Sequence, residues 1–356
     1  PPQTRPQTQT NSQSHYIRLI FTLNCVKMTQ SDLVEEIMFD IPVVLIIFKR
    51  LKVLEIINRL RELKPKKVYI LADNGRNDEE ISECQKCREL VETSLDWNCE
   101  IIKNYADTNR GVYANIGLGA RWVFEREETA IFLEDDNLPE LTFFEFCKEM
   151  LSKYNDNEKI LWVCGTNYLG KTHFKDGASY TFTRHMLPCG WASWSSKFLK
   201  YYDGELTACR EDGNIQIAKS RYYSKRVANQ YAENWLNEYK KINEGDRPSS
   251  WDYQMDFSIK FNNLLGIAPV FNQIKNIGVD NFSAHGGNSF DNIMVKRFCG
   301  MNSYPLKFPL IDPKNIKPDI KFEKRINRII AVPYRYTLKI KLRKIVVKIL
   351  GFDENE

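Results

Sequence analysis

The segment AIFLEDDNLPE, from Ala130 to Glu140, decides how the rest of the chain is interpreted. It begins as an uninterrupted apolar run, which is typical of a strand buried on both faces of a parallel sheet. Three carboxylates, Glu134, Asp135 and Asp136, follow at once. Neighbouring like charges disfavour ionisation unless a cation or hydrogen-bond donors compensate them. The segment therefore predicts a functional edge of a sheet or the start of a helix.

A helix cap is the simpler explanation of these acids. Asp136 or Asn137 would cap a helix that Pro139 opens, and carboxylates are favoured near a helix N-terminus. One cap needs one carboxylate, however, which leaves Glu134 and Asp135 unexplained. A divalent cation explains them better, because Mg²⁺ and Mn²⁺ prefer oxygen ligands and usually keep substrate phosphate oxygens in their shell. On this segment alone, both interpretations stay open.

Strands and helices alternate on both sides of this segment. Apolar runs separated by helical patterns predict five strands, at residues 41–50, 66–73, 99–105, 129–135 and 159–167. This alternation predicts a doubly wound, mostly parallel sheet with ligands at the carboxyl ends of its strands. Asp73 follows the second of these strands, and the turn Asn109-Arg110-Gly111 follows the third.

Composition limits the classes of protein to which the chain can belong. Its 356 residues are 43% hydrophobic and 27% charged, as in an ordinary soluble globular protein. The net charge of +5 is concentrated towards the C-terminus, whereas a nucleic-acid-binding domain is more often basic throughout. Nine irregularly spaced cysteines indicate reduced thiols in a cytosolic protein, and the pair Cys84 and Cys87 lacks the further ligands of a zinc site. No apolar run reaches the roughly 18 residues of a membrane span, and no secretory signal is visible.

Four short motifs give the chain a resemblance to a known group of enzymes. FLEDDNLP, GWASW, WDYQM and NIGVDNFSAH follow one another in this order. Residues 39–285 resemble the GT-A glycosyltransferases of the nucleotide-diphospho-sugar transferase superfamily. They look most like the bacterial GT2-like, hemolytic-protein-like group, which is distantly similar to N-acetylglucosaminyltransferase I. The resemblance implies an α/β fold of GT-A (Rossmann-like) type, with a mixed, mostly parallel sheet flanked by helices and a C-terminal helical appendage.

The resemblance also implies a reaction and a division of the chain. The reaction is transfer of a sugar, with inversion, from a nucleotide diphosphate to a hydroxyl of a glycan or lipid-linked acceptor, assisted by Mn²⁺ or Mg²⁺. UDP is the preferred nucleotide from the family alone, and bacterial cell-surface polysaccharide is the expected kind of product. We expect a disordered or non-native segment at 1–36, a GT-A domain at 37–290 and a C-terminal extension at 291–356.

On the donor side, the resemblance assigns roles to five residues. Asp136 would be the direct metal ligand, as the last acid of the family's D-x-D-like motif. Glu134 and Asp135 would orient the metal shell, the ribose or the donor sugar. Asp73 would contact the base or ribose, although it is equally well placed as a turn residue in ADNG. Arg110 would contact the base or diphosphate, unless it is an ordinary surface arginine.

On the acceptor side, an inverting transferase needs a general base for the acceptor hydroxyl. Asp252 is predicted as that base, against the alternative of a favourable charge in the first turn of a helix. Asp256, one turn later, is the reserve candidate. His285 would bind the metal or diphosphate, although the family usually has Thr-His where this chain has Ala284-His285. A lone histidine with a structural role is the alternative.

Two tryptophans in GWASW are predicted to contact the acceptor. Trp191 and Trp194 suit stacking on a sugar through their apolar faces and ring N–H groups, and core packing is the alternative. His185, which precedes this aromatic segment, is expected only to pack.

The C-terminal residues 334–352 combine a stripe of Leu and Ile at helical spacing with six basic residues and no acid. A basic amphipathic helix can lie on an anionic membrane surface, so we expect a peripheral contact at the inner face of the membrane. Packing against the catalytic domain or a dimer contact are the alternatives.

Two other functions are alternatives to a glycosyltransferase. A sugar nucleotidyltransferase normally has a Gly-rich phosphate loop after its first strand, whereas FKRLKVLEII contains no glycine. A non-catalytic, transferase-like protein that binds nucleotide sugars is the second alternative.

Overall fold

The computed structural model describes residues 38–279 and 293–334. His285, the basic segment 335–352 and residues 1–36 lie outside the described residues. The described residues form ten strands: β1 Val43–Ile47, β2 Lys67–Ala72, β3 Glu100–Tyr105, β4 Thr129–Glu134, β5 Asn137–Pro139, β6 Ile160–Cys164, β7 Tyr180–Thr183, β8 Trp191–Trp194, β9 Leu265–Pro269 and β10 Ile274–Asn276.

Helices cover the sheet and form the C-terminal part of the described chain. They are α1 Val53–Leu63, α2 Asp78–Ser94, α3 Gly119–Phe124, α4 Leu141–Lys153, α5 Ser195–Tyr201, α6 Asp212–Ser220, α7 Lys225–Glu244, α8 Asp252–Phe261, α9 Ile293–Phe298 and α10 Ile320–Ile330. A π-helical turn at Tyr113–Leu118 leads into α3, and a 3₁₀ turn at Thr207–Arg210 precedes α6.

Eight strands form one mixed sheet in the order β3-β2-β1-β4-β8-β6-β9-β7. β3, β2, β1 and β4 are parallel, while β8 runs antiparallel between β4 and β6, and β7 runs antiparallel to β9 at the far edge. The strand order reverses direction between β1 and β4. In open α/β sheets this reversal opens a crevice at the carboxyl ends of the two strands.

The first strand has the two-sided burial that its sequence predicts. Val44 and Ile46 belong to the hydrophobic core on one face of the sheet, and Val43, Leu45 and Ile47 belong to the core on the other. All five side chains are at most 5% exposed. Because successive side chains of a strand point to opposite faces, a run without polar residues is needed when helices cover both faces. The predicted fold class of a mixed, mostly parallel sheet flanked by helices is confirmed.

The segment after β4 is not the start of a helix. Asn137–Pro139 forms β5, which pairs antiparallel with β10 in a separate two-stranded sheet. α4 begins only at Leu141, and Glu140 precedes it without a side-chain capping bond. The prediction of a helix opened by Pro139 and capped by Asp136 or Asn137 is therefore wrong. Pairing with a strand more than 130 residues away overrode the local signal.

The described part of the C-terminal region shares the core of the sheet. Phe322, Ile326 and Ile330 of α10 are at most 5% exposed and join the hydrophobic cluster that contains Val44 and Ile46. Residues 320–330 therefore pack with residues 38–279 rather than forming a core of their own. Within the described ranges, no helix is both long enough and apolar enough to cross a membrane.

Candidate active site

Three consecutive carboxylates lie at the edge of the sheet where β1 and β4 end, and Asp252 of α8 interacts electrostatically with the first of them. We call Glu134, Asp135, Asp136 and Asp252 the acidic edge. In the parallel register of these strands, Ile46 of β1 lies beside Glu134 of β4. The acid triplet therefore leaves the sheet next to the chain that follows β1. This is the point of strand reversal, where ligands of α/β sheets bind.

Glu134 carries the strongest electrostatic signature of the acidic edge. Burial raises the pKa of its carboxyl well above the usual value, and the negative charges of Asp136, Asp135 and Asp252 raise it further. Arg50 opposes this shift. Because Asp252 lies in α8, far away in sequence, its effect on Glu134 places it near the triplet in the folded chain.

Asp135 is held by the segment that follows β1. Its carboxylate accepts a hydrogen bond from the backbone N–H of Phe48 at 3.1 Å and forms an ion pair with Arg50. Burial raises the pKa of Asp135 to about 6, and the positive charge of Arg50 limits the rise. Arg50 also lies 3.4 Å from Asp136. The role of Arg50 is not evident from the sequence, although its position shortly after the strand beside β4 is a usable signal.

Asp136 is fixed by the β5–β10 ribbon. Its backbone carbonyl accepts a hydrogen bond from Ile277 N–H at 2.8 Å, and its carboxylate accepts one from Asn137 Nδ2 at 2.5 Å. Gly278 lies so close that a Cβ there would stand 2.2 Å from a carboxylate oxygen of Asp136. The chain thus runs directly past Asp136 shortly before residues 280–292, which include His285.

Asp252 is the first residue of α8, which is the position that the alternative of a favourable first-turn charge predicts. Ser250 Oγ donates a hydrogen bond to its carboxylate and accepts one from Tyr253 N–H at 3.0 Å. The residue is partly exposed, like Tyr253 beside it, whereas residues 254–260 of the same helix are buried. Asp252 therefore combines a fixed position, access to solvent and electrostatic contact with Glu134.

The acidic edge fits a hard divalent cation in its chemistry. Its ligands are carboxylate oxygens, and the accumulated negative charge of Glu134, Asp136 and Asp252 is what such an ion would neutralise. Within residues 38–279 and 293–334, no three carboxylate, imidazole or thiol groups stand close enough to hold a metal by themselves. A cation that takes one or two carboxylates and completes its shell with substrate phosphates needs no such preformed cage.

Asp73 organises the neighbouring loop rather than facing solvent. Its carboxylate accepts hydrogen bonds from the backbone N–H groups of Arg110 at 2.8 Å and Gly111 at 2.9 Å, and from Asn109 Nδ2 at 3.2 Å. The residue is only 5% exposed. Asp73 thus joins the loop after β2 to the loop after β3. A turn residue in ADNG would act only within the first of these loops.

Arg110 is not an ordinary surface arginine. Its guanidinium donates to Asn115 Oδ1 at 2.6 Å and to Asn104 Oδ1 at 2.8 Å, so its geometry is set by the π-helical turn and by β3. Burial lowers its pKa from the usual value, while the charge of Asp73 opposes that change. The half-buried cation lies in the loop that Asp73 anchors.

The two tryptophans of GWASW are core residues, so their predicted acceptor contact is wrong. Trp191 and Trp194 lie on β8 and are each 1% exposed. The ring of Trp191 stacks on Phe132 at 3.9 Å between centroids, and Trp194 donates its ring N–H to the carbonyl of Leu151 at 2.9 Å. Because β8 is a central strand, its large side chains fill the two cores instead of facing a ligand.

A second group of ionisable residues lies inside the protein, and we call it the inner ionic cluster: Asp256, Lys260, Tyr222, His185 and Glu323. Asp256 accepts hydrogen bonds from Tyr222 Oη at 2.6 Å and from Lys260 Nζ at 3.2 Å. Each of these side chains is less than a tenth exposed. Both hydrogen bonds of Asp256 are structural, so the geometry favours Asp252 over Asp256 as a base.

His185 lies in this cluster, as its expected packing role requires. Its Nε2 is 3.5 Å from a carboxylate oxygen of Glu323, whose other oxygen accepts from Thr183 Oγ1 at 2.7 Å. Burial lowers the pKa of His185 to about 4.

The cysteines of the described residues are free thiols. Cys84 and Cys87 lie on the buried face of α2, and burial raises their pKa values to about 11 and about 12. Both therefore stay protonated at neutral pH.

Comparison with known proteins gives only distant similarities. No family model and no curated protein sequence matches the chain. Among solved structures, a mannosyltransferase from Pyrobaculum calidifontis in complex with GDP-Man and Mn²⁺ is 12% identical, with 62% of this chain and 69% of that one covered and a TM-score of 0.34.

Two further structures are similar at the same level. UDP-glucose pyrophosphorylase complexed with UDP-glucose is 8% identical over 66% of this chain and 91% of that one, with a TM-score of 0.32. Glucosyl-3-phosphoglycerate synthase from Mycobacterium tuberculosis, with Mn²⁺ and UDP, is 10% identical over 44% and 57%, with a TM-score of 0.28. These values are too low to carry a conclusion about function, so the fold assignment rests on the strand order of the chain itself.

Proposed function

We propose that this protein is a metal-assisted glycosyltransferase that moves a sugar from a nucleotide diphosphate to a hydroxyl acceptor, with inversion. The observation that carries the proposal is the acidic edge at the point of strand reversal between β1 and β4. A crevice at this point is where α/β sheets bind nucleotides. Four carboxylates there suit a reaction in which a cation neutralises a leaving diphosphate.

On the donor side, the proposal gives the residues different tasks. Asp136 is the protein's carboxylate ligand, and a bound Mn²⁺ or Mg²⁺ would neutralise charge on the departing diphosphate. Glu134 orients the donor, while Asp135 is tied to Arg50 and keeps the triplet in place. Asp73 and Arg110 shape the loop at the nucleotide end of the crevice. His285 is proposed as a second ligand because the described chain passes Asp136 at Gly278, shortly before it.

On the acceptor side, Asp252 is proposed as the general base. Its carboxylate accepts from Ser250 and sits near Glu134, so a hydroxyl bound beside the donor would meet a fixed proton acceptor. Proton transfer to such a positioned side chain contributes roughly 10²–10⁴-fold to rate. UDP as the nucleotide, a glycan or lipid-linked acceptor, and contact of residues 334–352 with an anionic membrane belong to this proposal as its finer parts.

The first test is the donor site. Thermal unfolding would be followed with UDP-, GDP- and dTDP-sugars, each with and without Mn²⁺, for wild type and Asp136→Asn. A ligand present at about a hundred times its Kd stabilises by about 2.7 kcal/mol, which is measurable. We expect a shift that requires both the metal and one nucleotide in wild type and that is lost in Asp136→Asn.

Asp107→Asn is the matched control, because Asp107 is an exposed acid in the loop after β3 at the same edge of the sheet. It should respond like wild type. A shift that survives in Asp136→Asn, or that is absent for every nucleotide, would remove the basis of the proposal. Asp252→Asn should keep the donor-dependent shift while losing about 10²-fold or more of the transfer rate, which separates the base from the donor site.

A further inference from the structure

A second polar cavity lies between α7 and α10, and it shares no residue with the acidic edge. It has a volume of about 420 Å³ and is lined by Tyr223, Ser224, Arg226, Lys324, Asn327, Arg328 and Ala331. Three of the seven lining residues are cations, and none carries a carboxylate. The cavity therefore selects for negative charge, in contrast to the acidic edge.

The walls of this cavity are held in place by contacts between the two helices. Gln230 Nε2 donates to the carbonyl of Ile330 at 3.1 Å, and Gln230 Oε1 accepts from Val332 N–H at 2.9 Å. Arg226 also donates to the carbonyl of Val332. The first turns of α7 are thus fixed against the C-terminal end of α10. A site built on two joined helices keeps its geometry without a ligand.

The N-terminus of α7 opens into the same cavity. α7 has 20 residues, and its N-cap Ser224 accepts a hydrogen bond from Val227 N–H at 3.4 Å. The first N–H groups of a helix lack intrahelical partners, and the positive end of its dipole favours anions, phosphates in particular. Lys324 and Arg328, four residues apart on α10, face the cavity from the opposite wall.

Asn327 is an independent sign of a ligand. It is only 4% exposed, its Nδ2 donates to the carbonyl of Glu323 at 2.9 Å, and its Oδ1 has no hydrogen-bond partner. A buried acceptor without a partner destabilises the folded protein, so such groups are rare unless something binds them. Because Oδ1 accepts, the group it meets must be a donor such as a hydroxyl.

We propose that this cavity binds a phosphate group that carries a neighbouring hydroxyl. The phosphate oxygens would accept from Arg226, Lys324 and Arg328 and from the N-terminus of α7, and the hydroxyl would donate to Asn327 Oδ1. This chemistry occurs in a soluble compound such as glycerol 3-phosphate and in the headgroup of phosphatidylglycerol. The proposal concerns binding alone, so it can fail or succeed independently of the transferase reaction.

Full-length protein would be tested with both sources of this chemistry. Calorimetric titration with glycerol 3-phosphate measures the soluble form, and sedimentation with phosphatidylcholine vesicles, with and without phosphatidylglycerol, measures the lipid form. The test variant is Lys324→Gln with Arg328→Gln, two exposed side chains whose replacement should leave the fold intact. The matched control is Lys317→Gln with Lys321→Gln, which removes the same charge from exposed residues of the same region outside the cavity.

We expect at least one probe to bind wild type and the control alike, and the Kd to rise about tenfold or more in the test variant. Binding of glycerol 3-phosphate would assign a soluble ligand. Binding to phosphatidylglycerol vesicles alone would assign a headgroup only where the test variant loses it, because membrane contact through residues 334–352 would survive in that variant. Asn327→Leu should weaken binding several-fold while leaving the net charge unchanged. Equal loss in test and control variants, or no binding of either probe by wild type, would overturn the proposal.

Discussion

The acidic edge and the inner ionic cluster both gather carboxylates, yet they are built in opposite ways. In the inner cluster, Asp256 meets Lys260 and Tyr222, and Glu323 meets Thr183 and the backbone N–H of Arg184. At the acidic edge, the carboxylates instead raise one another's proton affinity, and Arg50 offsets only part of this effect at Glu134.

The difference separates carboxylates that are neutralised by partners inside the fold from carboxylates that we propose to bind a ligand. A buried carboxylate that is paired with donors supports the fold, because its removal leaves the partner cation or donor buried without compensation. Mutually repelling carboxylates contribute little to stability and gain their compensation from a bound cation. Their contacts thus distinguish Asp252 from Asp256, although the two acids lie one helical turn apart.

The largest effect should follow from breaking the inner cluster. Asp256→Ala leaves Lys260 buried without its carboxylate, and such a loss costs about 3–5 kcal/mol. Urea denaturation of wild type and variant measures the difference. Asp256→Leu combined with Lys260→Met removes both charges and should recover most of the loss, because an apolar pair of similar volume is often tolerated. A loss below about 1 kcal/mol in the single variant would contradict the assignment.

A smaller effect should appear in the pH dependence of stability. The pKa of His185 is about 4 in the folded protein, against an ordinary value of 6.5. Between these values the unfolded chain binds the proton and the folded one does not, so stability falls as the pH drops from about 6.5 to about 4. The total loss is up to about 3 kcal/mol. Glu323 favours protonation of His185 and Lys260 opposes it.

His185→Gln removes this titrating group and provides the control. The free energy of unfolding, measured with urea across this pH range, should fall less steeply in the variant than in wild type. Parallel curves for the two proteins would show that His185 titrates as in the unfolded chain.

The smallest effects concern Asn77, which caps a helix, and Asp136, which the sequence alone also allowed as a helix cap. Asn77 Oδ1 accepts from Glu80 N–H at 3.0 Å at the start of α2, so Asn77→Ala should cost about 1 kcal/mol. Asp136→Asn should change the free energy of unfolding by less than about 0.5 kcal/mol, because Asp136 caps no helix and its lost attraction to Arg50 is offset by its lost repulsion of Glu134 and Asp135. Chemical denaturation measures both. A cost of about 1 kcal/mol for Asp136→Asn would assign it a structural role.

Several strands and helices could be predicted because the pattern of apolar residues in their sequence matches the burial of these residues in the fold. The run VVLII of β1 is buried on both faces, and α1 buries Val53, Ile56, Ile57 and Leu60 at helical spacing. The ends of elements that pair over long distances could not be predicted. β5 exists because β10 pairs with it, and nothing in the residues around Pro139 indicates that partner. β9 and β10 likewise follow one another closely in the sequence, yet they lie in different sheets.

The candidate site divides in the same way. The acid triplet was visible in the sequence because three adjacent carboxylates after an apolar strand are costly without compensation. Arg50 was not recognised, because its closeness to Asp135 depends on β1 and β4 being neighbours in the sheet. The residue types of GWASW suit stacking on a sugar, but β8 lies between β4 and β6, which buries both tryptophans in the core.

The sequence by itself determined the class of fold and the chemistry available at the end of β4, since apolar periodicity and charge are local properties of the chain. Only the tertiary structure decided which carboxylates share a site, which are tied in ion pairs, and which aromatic rings are buried. The physical reason is that Coulomb interactions and burial depend on distances through space. Glu134 and Asp252 become neighbours only after the sheet orders its strands and α8 docks beside it.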